Sequence, residues 1–241
     1  MRRRLQLMLG CWRSVTWWNI TKLANPFHCL FVNSRWNCRR LPIGGIPLFA
    51  ERFKSRFVPV LEDDDGTVVV ESRAICERLI ERHGGSGLVP PPFEGPVWAY
   101  ADFNDGPLED ILFRVGSPSV RLAWQSPSDR ALYVLVKERK FGAGCVDAWL
   151  RDREVLLERA RHLLAPTLRT LEQTPFLFGN APTLADAALY GNCIQLEEAE
   201  PAVLARLAPT LVDYVRRVEA RAPLRGVGSG PSGEANSAKR G

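Results

Sequence analysis

Residues 57–72, Phe-Val-Pro-Val-Leu-Glu-Asp-Asp-Asp-Gly-Thr-Val-Val-Val-Glu-Ser, leave this chain few choices of local structure. Val58, Val60, Val68, Val69 and Val70 are β-branched and suit a pleated, half-buried surface. Asp65-Gly66 between these runs predicts a tight hairpin, because glycine tolerates positive φ. Pro59 has no N–H to offer a ladder, so it fits only at a strand's first residue or on an edge. Ser72 is then a candidate N-cap for a helix over 73–84. Ile75, Leu79 and Ile80 form that helix's apolar face, and Gly84 is a natural stop.

Beyond His83 the composition changes. Gly84-Gly85-Ser86-Gly87 followed by Pro90-Pro91-Pro92 predicts a linker, flexible and then stiff. Up to about Ala222 the chain reads as helical. The periodicity predicts one broken helix over 96–105 and 108–115, interrupted at Gly106-Pro107. It also predicts helices over 129–138, over 147–171 with a kink at Pro166, and over 204–222. Asn104-Asp105, Glu109-Asp110 and Lys137-Glu138-Arg139-Lys140 read as solvated or ion-paired helix surface. Tyr100, Phe113, Trp124 and Tyr133 are candidates for an apolar pocket.

A second anchor lies at Leu177-Phe178-Gly179-Asn180-Ala181-Pro182-Thr183-Leu184-Ala185-Asp186. Thr183 and Asp186 form a Thr-x-x-Asp box, in which the hydroxyl caps a backbone N–H and the carboxylate reaches back. The helix behind the box is almost wholly apolar and therefore belongs in a domain centre. Asp186 is read here as a structural residue.

Taken together, Val-Pro-x-Leu, the acidic-Gly hairpin and Glu-Ser-x-Ala-Ile, with the Thr-x-x-Asp box about 110 residues later, resemble the glutathione transferases. The resemblance spans about residues 41–222. It implies an α/β thioredoxin-like domain over 1–83, the linker over 84–95, an all-α helical bundle domain over 96–222 and a disordered tail over 223–241. It implies that Pro59 is cis, that the Val58 backbone pairs with the cysteinyl part of glutathione, and that Glu71 and Ser72 hold the γ-glutamyl end. A carboxylate suits a helix N-terminus, where free N–H groups and the dipole favour an anion. A glutamate suits the neighbouring ammonium. Glutathione is then a co-substrate and no cofactor is held permanently. The implied reaction is attack of its thiolate on a small electrophile, in a cytoplasmic homodimer.

The first 40 residues depart from the family pattern. If Leu5–Leu9 is the first strand, Cys11 and Ser14 stand at the first helix start, where relatives place the residue that faces the glutathione sulfur. A helix N-terminus lowers a thiol pKa, so Cys11 ranks first and reductase-like chemistry follows from it. Ser14 instead offers a hydrogen-bond donor to the thiolate. Trp17-Trp18-Asn19 and Asn25-Pro26-Phe27-His28-Cys29 do not give a clean helix and strand. Either this half is divergent or its start is misassigned. A non-catalytic binding or scaffold protein of the same fold is the alternative reading.

Charge and cysteine usage narrow the rest. The net charge of +5 divides into +10 over residues 1–56 and −5 over the other 185. The body is mildly acidic and lacks a basic motif interleaved with aromatics, so no nucleic-acid partner is expected. The six cysteines form no CxxC pair and no zinc spacing, which predicts neither a metal site nor a disulfide framework. No apolar run approaches ~18 residues, so no membrane span is expected. The apolar stretch after Arg2-Arg3-Arg4 is short and soon meets Arg13, so export is not expected either.

Overall fold

The computed structural model describes residues 31–33, 51–52, 60–62, 65–83, 87–123 and 126–221. Among the described residues, three short strands form one sheet: β1 (Phe31–Asn33), β2 (Val60–Glu62) and β3 (Val68–Val70). β2 lies in the middle, parallel to β1 and antiparallel to β3. The β2–β3 register pairs Val60 with Val70, Leu61 with Val69 and Glu62 with Val68. Gly66 turns the hairpin at φ 80°, and Asp65 Oδ1 accepts the Thr67 N–H at 2.9 Å. This is the local bond that makes aspartate a turn residue. It also holds the Asp65 carboxyl below its usual range.

Helix α1 (Ser72–His83) follows β3 directly. Ile75, Cys76 and Leu79 are buried beneath it, and Arg78 reaches back to Asp65 at 2.7 Å. Ser72 is the first helical residue rather than the residue before it. The Ile75 N–H bonds to the Glu71 carbonyl at 3.0 Å, which puts Glu71 in the capping position. Gly84, the expected stop, lies outside the described residues.

The segment read as a linker is anchored at Leu88, while residues 91–95 are exposed. Leu88 is buried, and its carbonyl accepts the Leu184 N–H at 2.9 Å. A 3-10 turn (Pro91–Phe93) then starts helix α2 (Glu94–Phe103). The broken helix expected here is one continuous run, and its interruption at Gly106-Pro107 is a widened turn. Residues Asn104–Leu108 form a π turn that carries α2 straight into α3 (Glu109–Ala123). Pro107 explains the change: it has no N–H and its ring crowds the carbonyl four residues back. The Glu109 N–H reaches the Asn104 carbonyl instead, one residue further than an α-helix does.

The remaining helices are α4 (Pro127–Phe141), α5 (Cys145–Arg151), α6 (Arg153–Gln173), α7 (Leu184–Ala199), α8 (Val203–Leu207) and α9 (Pro209–Arg221). The single helix expected over 147–171 is two, split at Asp152, while α6 runs through Pro166. The helix expected over 204–222 is also two, because Pro209 opens a new first turn. Helix α7 is buried over most of its length and packs against α2, α3, α8 and α9. A helix apolar on all sides can only be central. Among the described residues, no helix is long and apolar enough to cross a membrane.

Candidate functional site

Strand β3 delivers Glu71 and Ser72 to the N-terminus of α1. Glu71 is exposed and sits at φ 74°, in the left-handed region. Such a conformation costs an L-residue roughly 1–2 kcal/mol, and strain of this kind clusters at ligand clamps. Ser72 is half-buried, and no hydrogen bond occupies its hydroxyl among the described residues. The first N–H groups of α1 have no intrahelical acceptor by geometry, so the turn offers donors and a positive dipole end. Of the other residues expected here, Val58, Pro59, Cys11 and Ser14 lie outside the described residues.

Arg73, the next residue, joins this turn to the helical part. Its guanidinium meets Asp102 on α2 at 2.8 Å and Glu77 at 3.0 Å, and lies over the Trp98 ring at 4.4 Å. One turn beyond Asp102 stands Asp105, at the edge of a cavity of about 160 Å³. Asp105 and Gly106 of the π turn form one wall. Glu109, Asp110 and Phe113 of α3 form a second, and Lys140 and Phe141 of α4 close it. Burial of the carboxyl and the Asp102 charge push Asp105 up to about 6, although the residue still has an open face.

The wall is held from behind by amides. Asn104 is fully buried and donates to the Tyr100 carbonyl at 3.0 Å. Asn192 of α7, also buried, donates to the Asn104 carbonyl and Oδ1 at 3.1 and 3.2 Å. Tyr100 shares a 2.7 Å hydrogen bond with Thr167 of α6. These bonds tie the widened turn to α7 and the end of α2 to α6.

The charge clusters read as surface are in part interior. Asn104, Glu109 and Lys137 are all buried. Lys137 Nζ lies 4.7 Å from the centre of the Phe113 ring and 5.0 Å from that of Tyr133. Its buried stem and two ring faces offset part of the desolvation cost of the ammonium. A signal existed in the sequence: Tyr133, Lys137 and Phe141 repeat every four residues, one inward stripe with a lysine at its middle. Of the expected pocket residues that are described, Phe113 lines the cavity. Tyr133 is fully buried and shares a hydrogen bond with Ser117, Tyr100 faces Thr167, and Trp124 lies outside the described residues.

Thr183 and Asp186 come together away from the cavity. Asp186 Oδ2 accepts the Thr183 N–H at 2.8 Å and its hydroxyl at 2.9 Å. Oδ1 accepts the Leu177 N–H at 3.0 Å and the Tyr214 hydroxyl at 3.1 Å. Burial pushes the Asp186 carboxyl up, against the pull of those four bonds. The cysteines of the described residues, Cys76, Cys145 and Cys193, are buried. Burial raises the Cys145 thiol and pushes Cys193 up to about 12, so neither is a thiolate at neutral pH. No three His, Cys, Asp or Glu residues among the described residues are grouped to hold a metal ion.

Residues 37–87 match the pattern of the glutathione S-transferase N-terminal domain, and residues 154–226 that of its C-terminal domain. The chain belongs to the glutathione S-transferase family. Glutathione S-transferase PM239X14 of Arabidopsis thaliana is 31% identical over 170 residues, which cover 68% of this chain. The chain spans 65% of that relative's length. Glutathione transferase GSTFuA3 from Phanerochaete chrysosporium superimposes with a TM-score of 0.64 at 16% identity, over 87% of this chain and 88% of its own. CsGST63524 of Ceriporiopsis subvermispora, solved in complex with glutathione, gives 0.67 at 13% identity, over 91% of each chain. Both share the two-part glutathione S-transferase architecture, a thioredoxin-like α/β domain followed by a helical one.

Proposed function

We propose that this chain binds glutathione at the Glu71–Ser72 turn and conjugates its thiol to a small electrophile held in the adjoining cavity. The observation that carries the reading is Glu71 in the left-handed region immediately before Ser72 at the start of α1. This places a carboxylate, a hydroxyl and open helix N–H groups together, the complement of an amino acid's ammonium and carboxylate. The named glutathione complex of a structural relative supports the same ligand. Val58 and Pro59 are assigned to the cysteinyl part of glutathione. The protein's chemical task is to orient the tripeptide and to stabilise its thiolate with a donor. That donor is assigned to Ser14, or a mixed disulfide to Cys11. The thioredoxin-like domain is assigned to residues 1–83 and the helical domain to 96–222. The working form is a cytoplasmic homodimer.

Calorimetric titration of glutathione tests the reading. Ser72→Ala and Glu71→Gln are each expected to weaken binding by about 1–3 kcal/mol, the cost of leaving a charged partner unsatisfied. An absence of binding to the wild type at millimolar glutathione would leave the non-catalytic scaffold of this fold as the function. Equal binding by all three proteins would remove Glu71 and Ser72 from the site. If glutathione binds, turnover lost in Cys11→Ala but kept in Ser14→Ala assigns the chemistry to the thiol.

A further inference from the structure

The cavity beside the π turn has a size, a wall and a charge that together define a ligand class. The cavity measures about 160 Å³, room for one benzene-sized ring; it is open on one side, and two phenylalanines stand among mostly polar lining residues. Phe113 and Phe141, with centroids 5.6 Å apart and planes 35° apart, present adjoining ring surfaces to it. The charges around it are unevenly matched. Asp110 is engaged by Arg114 at 2.9 Å. Lys140 Nζ stands 4.9 Å from the centre of the Phe141 ring. Glu109 is buried within the wall. Asp105, on the exposed edge, pairs with no lysine or arginine among the described residues, and the charge beside it is a second carboxylate, Asp102. Asp102 is itself bound to Arg73. Its exposed position leaves the Asp105 carboxyl open to a cation from solvent.

We propose that this cavity takes a single-ring aromatic compound carrying a protonated amine, its ring against Phe113 and Phe141 and its ammonium toward Asp105. Ring-to-ring contact holds the aromatic part, and the carboxylate at the rim attracts the ammonium; Phe113 and Phe141 already have Lys137 and Lys140 at 4.7 and 4.9 Å, so the rings themselves supply no free cation site. The inference rests on the proposed function only in making such a compound the second substrate, which must then also carry an electrophilic carbon whose leaving group departs as the C–S bond forms; binding to the cavity does not depend on glutathione.

Three probes of similar size separate the terms: benzylamine, benzyl alcohol and benzoate. They are titrated into the full chain without glutathione, followed by the NMR signals of the Phe113 and Phe141 rings. Benzylamine is expected to bind about tenfold tighter than the alcohol, and benzoate weakest. Asp105→Asn is expected to abolish the preference for the amine while keeping alcohol binding. A Cβ at Gly106 meets nothing within 4 Å, so Gly106→Leu is expected to fill the space and abolish binding of all three. Benzoate binding as tightly as the amine, a preference that survives Asp105→Asn, or no shift of either ring signal in the wild type would each overturn the proposal. The ring signals need no variant, so a Gly106→Leu chain that fails to fold leaves the test intact. A separate glutathione titration distinguishes the two readings. Glutathione binding without ring binding sinks this inference alone, and ring binding without glutathione binding sinks the proposed function alone.

Discussion

The turns before α1 and α7 begin alike, with a carboxylate and a hydroxyl beside a helix N-terminus, and end in opposite states. At α7, Thr183 and Asp186 are 2% and 0% exposed, and the carboxylate accepts four hydrogen bonds. At α1, Glu71 is exposed in a left-handed conformation and the Ser72 hydroxyl has no such bond among the described residues. Polar capacity used up inside the fold stabilises it; polar capacity left open at the surface is available to a ligand. The same few residue types therefore serve stability in one place and recognition in the other, and what differs is how many donors the surroundings have already supplied.

Breaking the buried turn should have the largest effect. Asp186→Ala leaves the Leu177 and Thr183 N–H groups and the Thr183 hydroxyl without their acceptor, while the Tyr214 hydroxyl keeps the backbone carbonyl of residue 186. Each orphaned buried donor costs about 1–3 kcal/mol, so a total loss of about 3–5 kcal/mol is expected after local relaxation. In a chain of this size that lowers Tm by roughly 10 °C, measurable by calorimetry. A shift below 2–3 °C, about what 1 kcal/mol produces, would contradict the central role given to this carboxylate.

At the exposed turn the opposite sign is expected. Glu71→Gly removes the left-handed strain and should raise stability by about 0.5–1 kcal/mol, seen as a higher urea midpoint at unchanged slope. The same variant should lose glutathione affinity. A destabilised Glu71→Gly would mean that the side chain supports the fold, and the contrast between the two turns would collapse.

Much of this was legible because local chemistry and tertiary context agree. Asp65-Gly66 closes a hairpin at φ 80° wherever two valine-rich runs flank it. The Thr-x-x-Asp spacing bonds across one helical turn whatever surrounds it. The charged residues of α3 and α4 were misread because exposure is not a local property. Glu109 and Lys137 are polar in any scale, and only the rings and helices packed around them make them interior. The left-handed Glu71 was invisible for a related reason: its backbone is held by the strand and helix on either side, not by a residue that prefers that conformation. Pro107 marked an irregularity correctly but not its kind, since a missing donor can end a helix or widen it. The amides of Asn104 and Asn192, 88 positions apart in sequence, belong to the widened outcome.

The π turn bears on how this chain tolerates changes in length. It holds one more residue than an α turn needs, and the surplus is absorbed locally, so α2 and α3 keep their inward faces toward α7. A deletion of Pro107 would remove the surplus residue and the missing donor at once and leave both flanking helices in phase with the core. Calorimetry should then find the melt little altered, while the wall carrying Asp105 and Gly106 is flattened. At this point in the molecule, gaining or losing one residue is a way of resizing the cavity without renegotiating the core.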